Sequence, residues 1–241
     1  MVSKKIFAFS SSRSADSAFL EIPSRVIGEF MGSAGADIAF IPFADAGYNY
    51  DEYTLAVERG LNNPALKIKT ALPADAVSVI ENCDAILVGG GNTFKLIHDL
   101  YEMKLLGLIF GKVNQGCPYI GWSAGSNILA PTISTTNDMP IIEPKSFKAL
   151  GLIPFQINPH YHNHHIAGFN GETRDDRLIE FVKLNPEIPV VGLTEGSYLK
   201  LENETLQYFG AKEGVLFTSA MNKEGFNKKQ INNIQDITFL L

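Results

Sequence analysis

The sequence predicts an α/β protein in which a mostly parallel sheet is flanked by helices on both faces and closed by an antiparallel C-terminal edge. Short apolar runs rich in β-branched and aromatic residues carry no polar alternation, as strands buried on both faces require. Amphipathic stretches separate them, and that alternation is the pattern of a parallel sheet with crossover helices. After Ser197 the pattern changes to short, closely spaced runs joined by turn residues, as in hairpins.

Taken in order, Ile6 to Phe9, Asp37 to Phe43, Ala65 to Thr70, Ala85 to Val88, Pro118 to Trp122 and Val190 to Leu193 read as buried strands, and a further apolar strand ends at Asn158-Pro159. Between them Leu20, Val26, Ile27 and Phe30 recur at helical spacing, as do Ala56, Val57 and Leu61, Leu96 and Leu100, and Leu178, Phe181 and Val182. Tyr198 to Leu201 and Thr205 to Phe209 flank Glu202-Asn203-Glu204 as a hairpin, and Gly214 to Phe217 adds a third run to that edge. No repeat, low-complexity tract or linker divides the chain, so residues 1–241 are expected to form a single domain.

An apolar share of 45% is ample for one large core in 241 residues. The net charge of −6, without a basic stripe, argues against nucleic acid and anionic membrane surfaces as partners. The N-terminal apolar run stops at Ser10-Ser11-Ser12, too early for a secretory leader, and no run approaches the roughly 20 residues that span a bilayer. Cys83 and Cys117 lack C-x-x-C spacing, which suggests neither a disulfide framework nor zinc. A cytoplasmic protein, monomeric or homodimeric, is the expectation.

Gly121-Trp122-Ser123-Ala124-Gly125 follows an apolar strand and opens a helix. The pattern G-x-S-x-G turns the chain so sharply that the serine hydroxyl stands exposed beside the first helical amide, making Ser123 a candidate nucleophile; the competing reading is a simple helix cap. Leu87-Val88-Gly89-Gly90-Gly91-Asn92-Thr93 ends another strand in three glycines. It lacks the spacing of a dinucleotide fingerprint and the G-K-[ST] ending of a P-loop. An outward amide at Gly90 or Gly91, paired with that of Ala124, would make an oxyanion hole.

His160, in the loop after Asn158-Pro159, is the candidate general base. His162, His164 and His165 crowd the same loop and raise a metal alternative, although no glutamate or cysteine stands at ligand spacing nearby. An orienting carboxylate is available from Glu195, in Leu193-Thr194-Glu195-Gly196, or from Asp138, in Thr136-Asn137-Asp138-Met139-Pro140.

These blocks, with Ile41-Pro42-Phe43-Ala44, Asp51-Glu52-Tyr53-Thr54 and Gly171-Glu172-Thr173-Arg174, occur in an order that resembles the peptidase E family, the α-aspartyl dipeptidases of the S51 serine peptidases. The likeness covers most of the chain to about Ser197 and is loose beyond it. It implies a fold like that of the class I glutamine amidotransferases, flavodoxin-like in its layering, with serine where those enzymes carry cysteine. It further implies Ser123 as nucleophile, His160 as base, Glu195 as its favoured partner and Asp138 as another required acid.

The implied substrate is a small peptide with an N-terminal aspartate, and the implied cofactor requirement is none. Arg174 matches the family's recognition arginine and suits a carboxylate because a guanidinium grips it with two parallel hydrogen bonds. The competing role is a surface pair with Asp175 or Asp176. Asn92 stands beside the glycine loop as a second candidate substrate contact. Rival functions are a cyanophycinase-like hydrolase of aspartyl backbones and a non-catalytic binder of small acidic ligands. The histidine-rich loop and Ser126 are departures from the family pattern.

Overall fold

The structure, a computed structural model, describes residues 3–32, 35–47, 49–164, 168, 170–220 and 225–241. In chain order the strands are β1 (Ile6–Phe9), β2 (Ala36–Ile41), β3 (Leu66–Thr70), β4 (Ala85–Val88), β5 (Tyr119–Trp122), β6 (Gln156–Asn158), β7 (Val190–Gly192), β8 (Tyr198–Glu202), β9 (Thr205–Phe209), β10 (Gly214–Ser219), β11 (Phe226–Ile231) and β12 (Gln235–Asp236). The helices are α1 (Glu21–Met31), α2 (Tyr50–Leu61), α3 (Ala76–Glu81), α4 (Thr93–Glu102), α5 (Leu106–Asn114), α6 (Ala124–Asn127) and α7 (Arg174–Leu184).

The main sheet runs β12-β9-β8-β1-β5-β4-β2-β3, parallel from β1 to β3 and antiparallel from β8 outward. Every residue of β1, β4 and β5 is buried, as their unbroken apolar sequences predict. Side chains from the two faces enter two separate cores. Ile6, Ala8, Ile86 and Val88 pack with α4 and α5 on one face; Phe7, Phe9, Leu87 and Trp122 pack with α1 and α2 on the other. This is the predicted α/β sheet with its antiparallel C-terminal edge.

Two strands leave that sheet. β6 and β7 pair in parallel with one another and, through β10 and β11, form a second sheet in the order β11-β10-β7-β6. The run from Gly214 therefore does not extend the C-terminal hairpin as its sequence suggests; it pairs antiparallel with β7, Val215 opposite Gly192. Its apolar residues Val215 and Phe217 pack with Tyr161, Leu178 and Val182 in a separate small core, and the burial of those side chains outweighs simple hairpin continuation.

The consequence for the site is geometric. Ser123 follows a strand of the main sheet, whereas His160 and Glu195 follow strands of the second. All three come from strand carboxyl ends, the edge at which ligands collect in open α/β sheets.

Candidate active site

Ser123 sits at φ 53°, ψ −114° between β5 and α6, a conformation that a non-glycine residue holds only under constraint. The constraint is packing. A Cβ on Gly121 would lie 2.5 Å from the Gly125 carbonyl oxygen, and one on Gly125 would lie 2.2 Å from that of Val88, so the elbow closes only with glycine on both sides. The Ser123 N–H donates to Phe9 O at 3.1 Å. Ser126 is buried, its hydroxyl directed at Phe9 O (2.7 Å) and Gly121 O (2.9 Å), which ties the elbow to β1. The Ser123 side chain makes no capping bond, and the hydroxyl turns instead to His160.

The Ser123 Oγ to His160 Nε2 distance is 2.8 Å, and His160 Nδ1 stands 2.6 Å from Glu195 Oε1. Because an ionised carboxylate only accepts, a neutral ring donates from Nδ1 to Glu195 and leaves the Nε2 lone pair for the serine proton. The His160 and Glu195 side chains are partly open to solvent, at 40% and 45%.

His160 is itself at φ 53°, and three anchors hold it. Its N–H donates to Ser10 Oγ at 2.9 Å, the Ser10 hydroxyl donates to Leu193 O at 2.8 Å, and Tyr161 N donates to Leu193 O at 2.8 Å. Buried asparagines then fix β6 against its surroundings: Asn127 Nδ2, in α6, donates to Ile157 O at 2.8 Å, and Asn158 Nδ2, at the end of β6, to Thr135 O in the preceding loop at 2.8 Å. Sequence reasoning missed Ser10, Asn127 and Asn158. Their signal was weak, since each is a small polar residue at a strand end or in a short helix, where turn and cap roles are the ordinary explanation.

Asp138 does not touch the imidazole. Its Oδ2 accepts from Thr93 N at 2.7 Å and from Thr136 Oγ1 at 3.1 Å, so Glu195 alone of the two candidate acids contacts His160. Asn92 is the N-cap of α4, accepting from Lys95 N at 3.1 Å and donating to Met139 O at 2.8 Å. Its amide group is thus already engaged by the protein.

Among the described residues, the N–H groups of Gly90, Gly91 and Ala124 donate to no protein acceptor. Gly91, at φ +139°, presses on Ala44, whose carbonyl oxygen would stand 2.3 Å from a Cβ there. The segment beside Ala44 is fixed in turn by the buried Lys95, whose ammonium donates to Phe43 O, Tyr50 Oη and Asp99 Oδ2. A cavity of about 490 Å³ opens against Gly90, Gly91 and Asn92, with Asp45 and Glu52 in its wall.

Arg174 opens α7. Its would-be neighbours are occupied: Asp176 closes a capping box with Thr173, and Asp175 accepts from Tyr161 Oη and pairs with Lys228. Glu172 lies 3.5 Å from Arg177 Nε. The Arg174 Nη1 atom is buried without a hydrogen-bond partner. Burial and the nearby Arg177 push its pKa down, while Asp138 and Tyr161 pull it up. His162 shares this field: partial desolvation, then Arg174 and His164, lower its pKa. Its ring stacks on that of His164 at 5.2 Å. His165 lies outside the described residues, and among those described no group of three or more metal-ligating side chains is gathered.

An α/β sheet that carries a serine elbow, a histidine and a carboxylate in hydrogen-bonded series defines the class as a hydrolase-type fold. The match to the family model of peptidase family S51 spans residues 6–209, and the chain belongs to that peptidase family. It is 45% identical to a peptidase E of Nostoc sp. over 241 residues, covering 100% of this chain and 98% of that one. It is 47% identical over 209 residues to a peptidase E of Shewanella oneidensis, covering 86% and 88%. A crystal structure of a peptidase from an acI-B1 actinobacterium shares the fold, with a TM-score of 0.69 at 16% identity over 98% of this chain and 96% of that one. No helix among the described residues is long and apolar enough to cross a membrane.

Proposed function

We propose that this peptidase hydrolyses dipeptides and similar small substrates bearing an N-terminal aspartate, through an acyl-enzyme on Ser123. The observation that carries the reading is the series from Ser123 Oγ through His160 to Glu195, at 2.8 and 2.6 Å. In it Ser123 attacks the scissile carbonyl as its proton passes to His160 Nε2, and Glu195 holds the ring and stabilises the imidazolium. The same proton then goes to the departing amine, whose loss leaves the aspartyl ester. A water molecule, deprotonated by His160, hydrolyses that ester and returns the hydroxyl. The amides of Ala124 and of Gly90 or Gly91 receive the negative oxygen in both halves.

Aspartate preference is supported by Arg174, a guanidinium with a buried nitrogen that has no hydrogen-bond partner among the described residues. A substrate β-carboxylate supplies that partner. The names of the relatives, peptidase E at 45% and 47% identity, agree with a peptidase of this kind.

The test is a panel of Asp-Leu, Asn-Leu, Glu-Leu and N-acetyl-Asp-Leu, with Ser123→Ala as control. Fast hydrolysis of Asp-Leu alone, abolished in Ser123→Ala, is the expected result; equal rates on Asn-Leu would refute the role of Arg174.

A further inference from the structure

In a loop of consecutive glycines a peptide plane flips at little steric cost, because either hand of φ is open to it. Gly89-Gly90-Gly91 is such a loop, and it runs directly beside the nucleophile: a Cβ built on Gly90 would lie 3.0 Å from Ser123 Cβ. An amide there helps an oxyanion only if its peptide is held one way round.

Three of the peptide planes in this loop have an anchor. Gly89 N donates to Ile41 O at 3.0 Å and Asn92 N donates to Ala44 O at 2.8 Å. The plane between Gly90 and Gly91 is held by a side chain from a different element, since the Tyr53 hydroxyl of α2 donates to Gly90 O at 3.0 Å. In a trans peptide the C=O and the following N–H point in opposite directions, and the described residues contain no cis bond. Tethering Gly90 O to Tyr53 therefore turns Gly91 N–H the other way, away from Tyr53.

Tyr53 is equally fixed. Trp122 Nε1, in the residue before the nucleophile, donates to its hydroxyl oxygen at 3.2 Å, and its ring meets those of Phe40 and Trp122 edge-on. A Cβ on Gly89 would stand 2.6 Å from the hydroxyl oxygen, so the loop is moulded onto this phenol. Burial pushes the phenol pKa well above its ordinary value, which keeps the proton that the bond to Gly90 requires.

We propose that Tyr53 is a positioning residue: its hydroxyl locks the Gly90–Gly91 peptide in the orientation that presents Gly91 N–H to the oxyanion formed at Ser123. The proposal rests on Ser123 being the nucleophile, and it adds a specific donor and the device that aims it. Tyr53 acts on the transition state and not on substrate affinity.

The experiment compares wild type, Tyr53→Phe and Ser123→Ala in two assays: kcat and KM on Asp-Leu, and the rate of covalent labelling by a fluorophosphonate, whose attack also builds charge on an oxygen beside Ser123. Tyr53→Phe is expected to lower kcat and labelling by a similar factor, roughly tenfold, since the donor is loosened and not removed. KM and the melting temperature stay close to wild type. A second variant, Tyr53→2,3-difluorotyrosine, keeps ring and hydroxyl and is expected to hold both rates near wild type. Wild-type rates in Tyr53→Phe, or a raised KM and lowered melting temperature at constant kcat, would overturn the proposal and leave Tyr53 a packing residue. A wild type that hydrolyses Asp-Leu without labelling at Ser123 would overturn the nucleophile assignment, a result distinct from either.

Discussion

The hydroxyl of Ser10 accepts the main-chain N–H of His160 at 2.9 Å. Ser10 is fully buried at the end of β1 in the main sheet, and His160 follows β6 in the second. This contact ties the loop that carries the base to the sheet that carries the nucleophile. The same hydroxyl donates to Leu193 O, two residues before Glu195.

Ser10→Ala is expected to cost about 1–3 kcal/mol of stability, because it leaves the His160 N–H without its acceptor, while Leu193 O keeps only its bond from Tyr161 N. Loss of alignment should also lower kcat roughly tenfold, since small displacements of reacting groups are expensive. Denaturant unfolding and steady-state kinetics on the same preparation measure both.

Glu195 and Asp138 separate cleanly by contact. Glu195→Gln keeps the size of the side chain but replaces the carboxylate that receives Nδ1–H, and kcat is expected to fall about 100-fold or more with KM little changed. Asp138→Asn leaves the imidazole and its partner untouched, so labelling of Ser123 by a fluorophosphonate should continue near the wild-type rate. Parallel kinetics of the two variants check this; slowed labelling in Asp138→Asn alone would reverse the assignment.

These cases also mark how far the sequence was legible. The elbow, the glycine loop, His160 and Glu195 each follow an apolar run, and the buried strands of the main sheet announce themselves by unbroken hydrophobicity. What periodicity does not encode is which sheet a strand joins. Val190 to Gly192 is apolar enough for the centre of either sheet, and only the packing of Val215, Phe217 and Tyr161 around it decides. Ser10 and Tyr53 were hidden for a related reason: their roles lie in contacts 150 and 37 residues away along the chain. Asp138 stayed open beside the favoured Glu195 because loop position alone does not distinguish an acid bonded to Thr93 N from one bonded to an imidazole.

Arg174→Met should erase the preference for aspartate. Hydrogen bonds to charged groups contribute about 1.5–3 kcal/mol each, so losing a two-pronged grip corresponds to a fall of about 100-fold or more in kcat/KM for Asp-Leu. The rate on Asn-Leu, which has no β-carboxylate to lose, should change far less. The ratio of the two specificity constants in wild type and variant is the measurement, and an unchanged ratio would move recognition elsewhere.

The most direct test of the central claim is to mix the enzyme with the p-nitrophenyl ester of aspartate, quench in acid during turnover, and map the protein by peptide mass spectrometry. An aspartyl group attached to Ser123, absent in Ser123→Ala, is the predicted result. Turnover that leaves Ser123 unmodified and persists in Ser123→Ala would contradict the account.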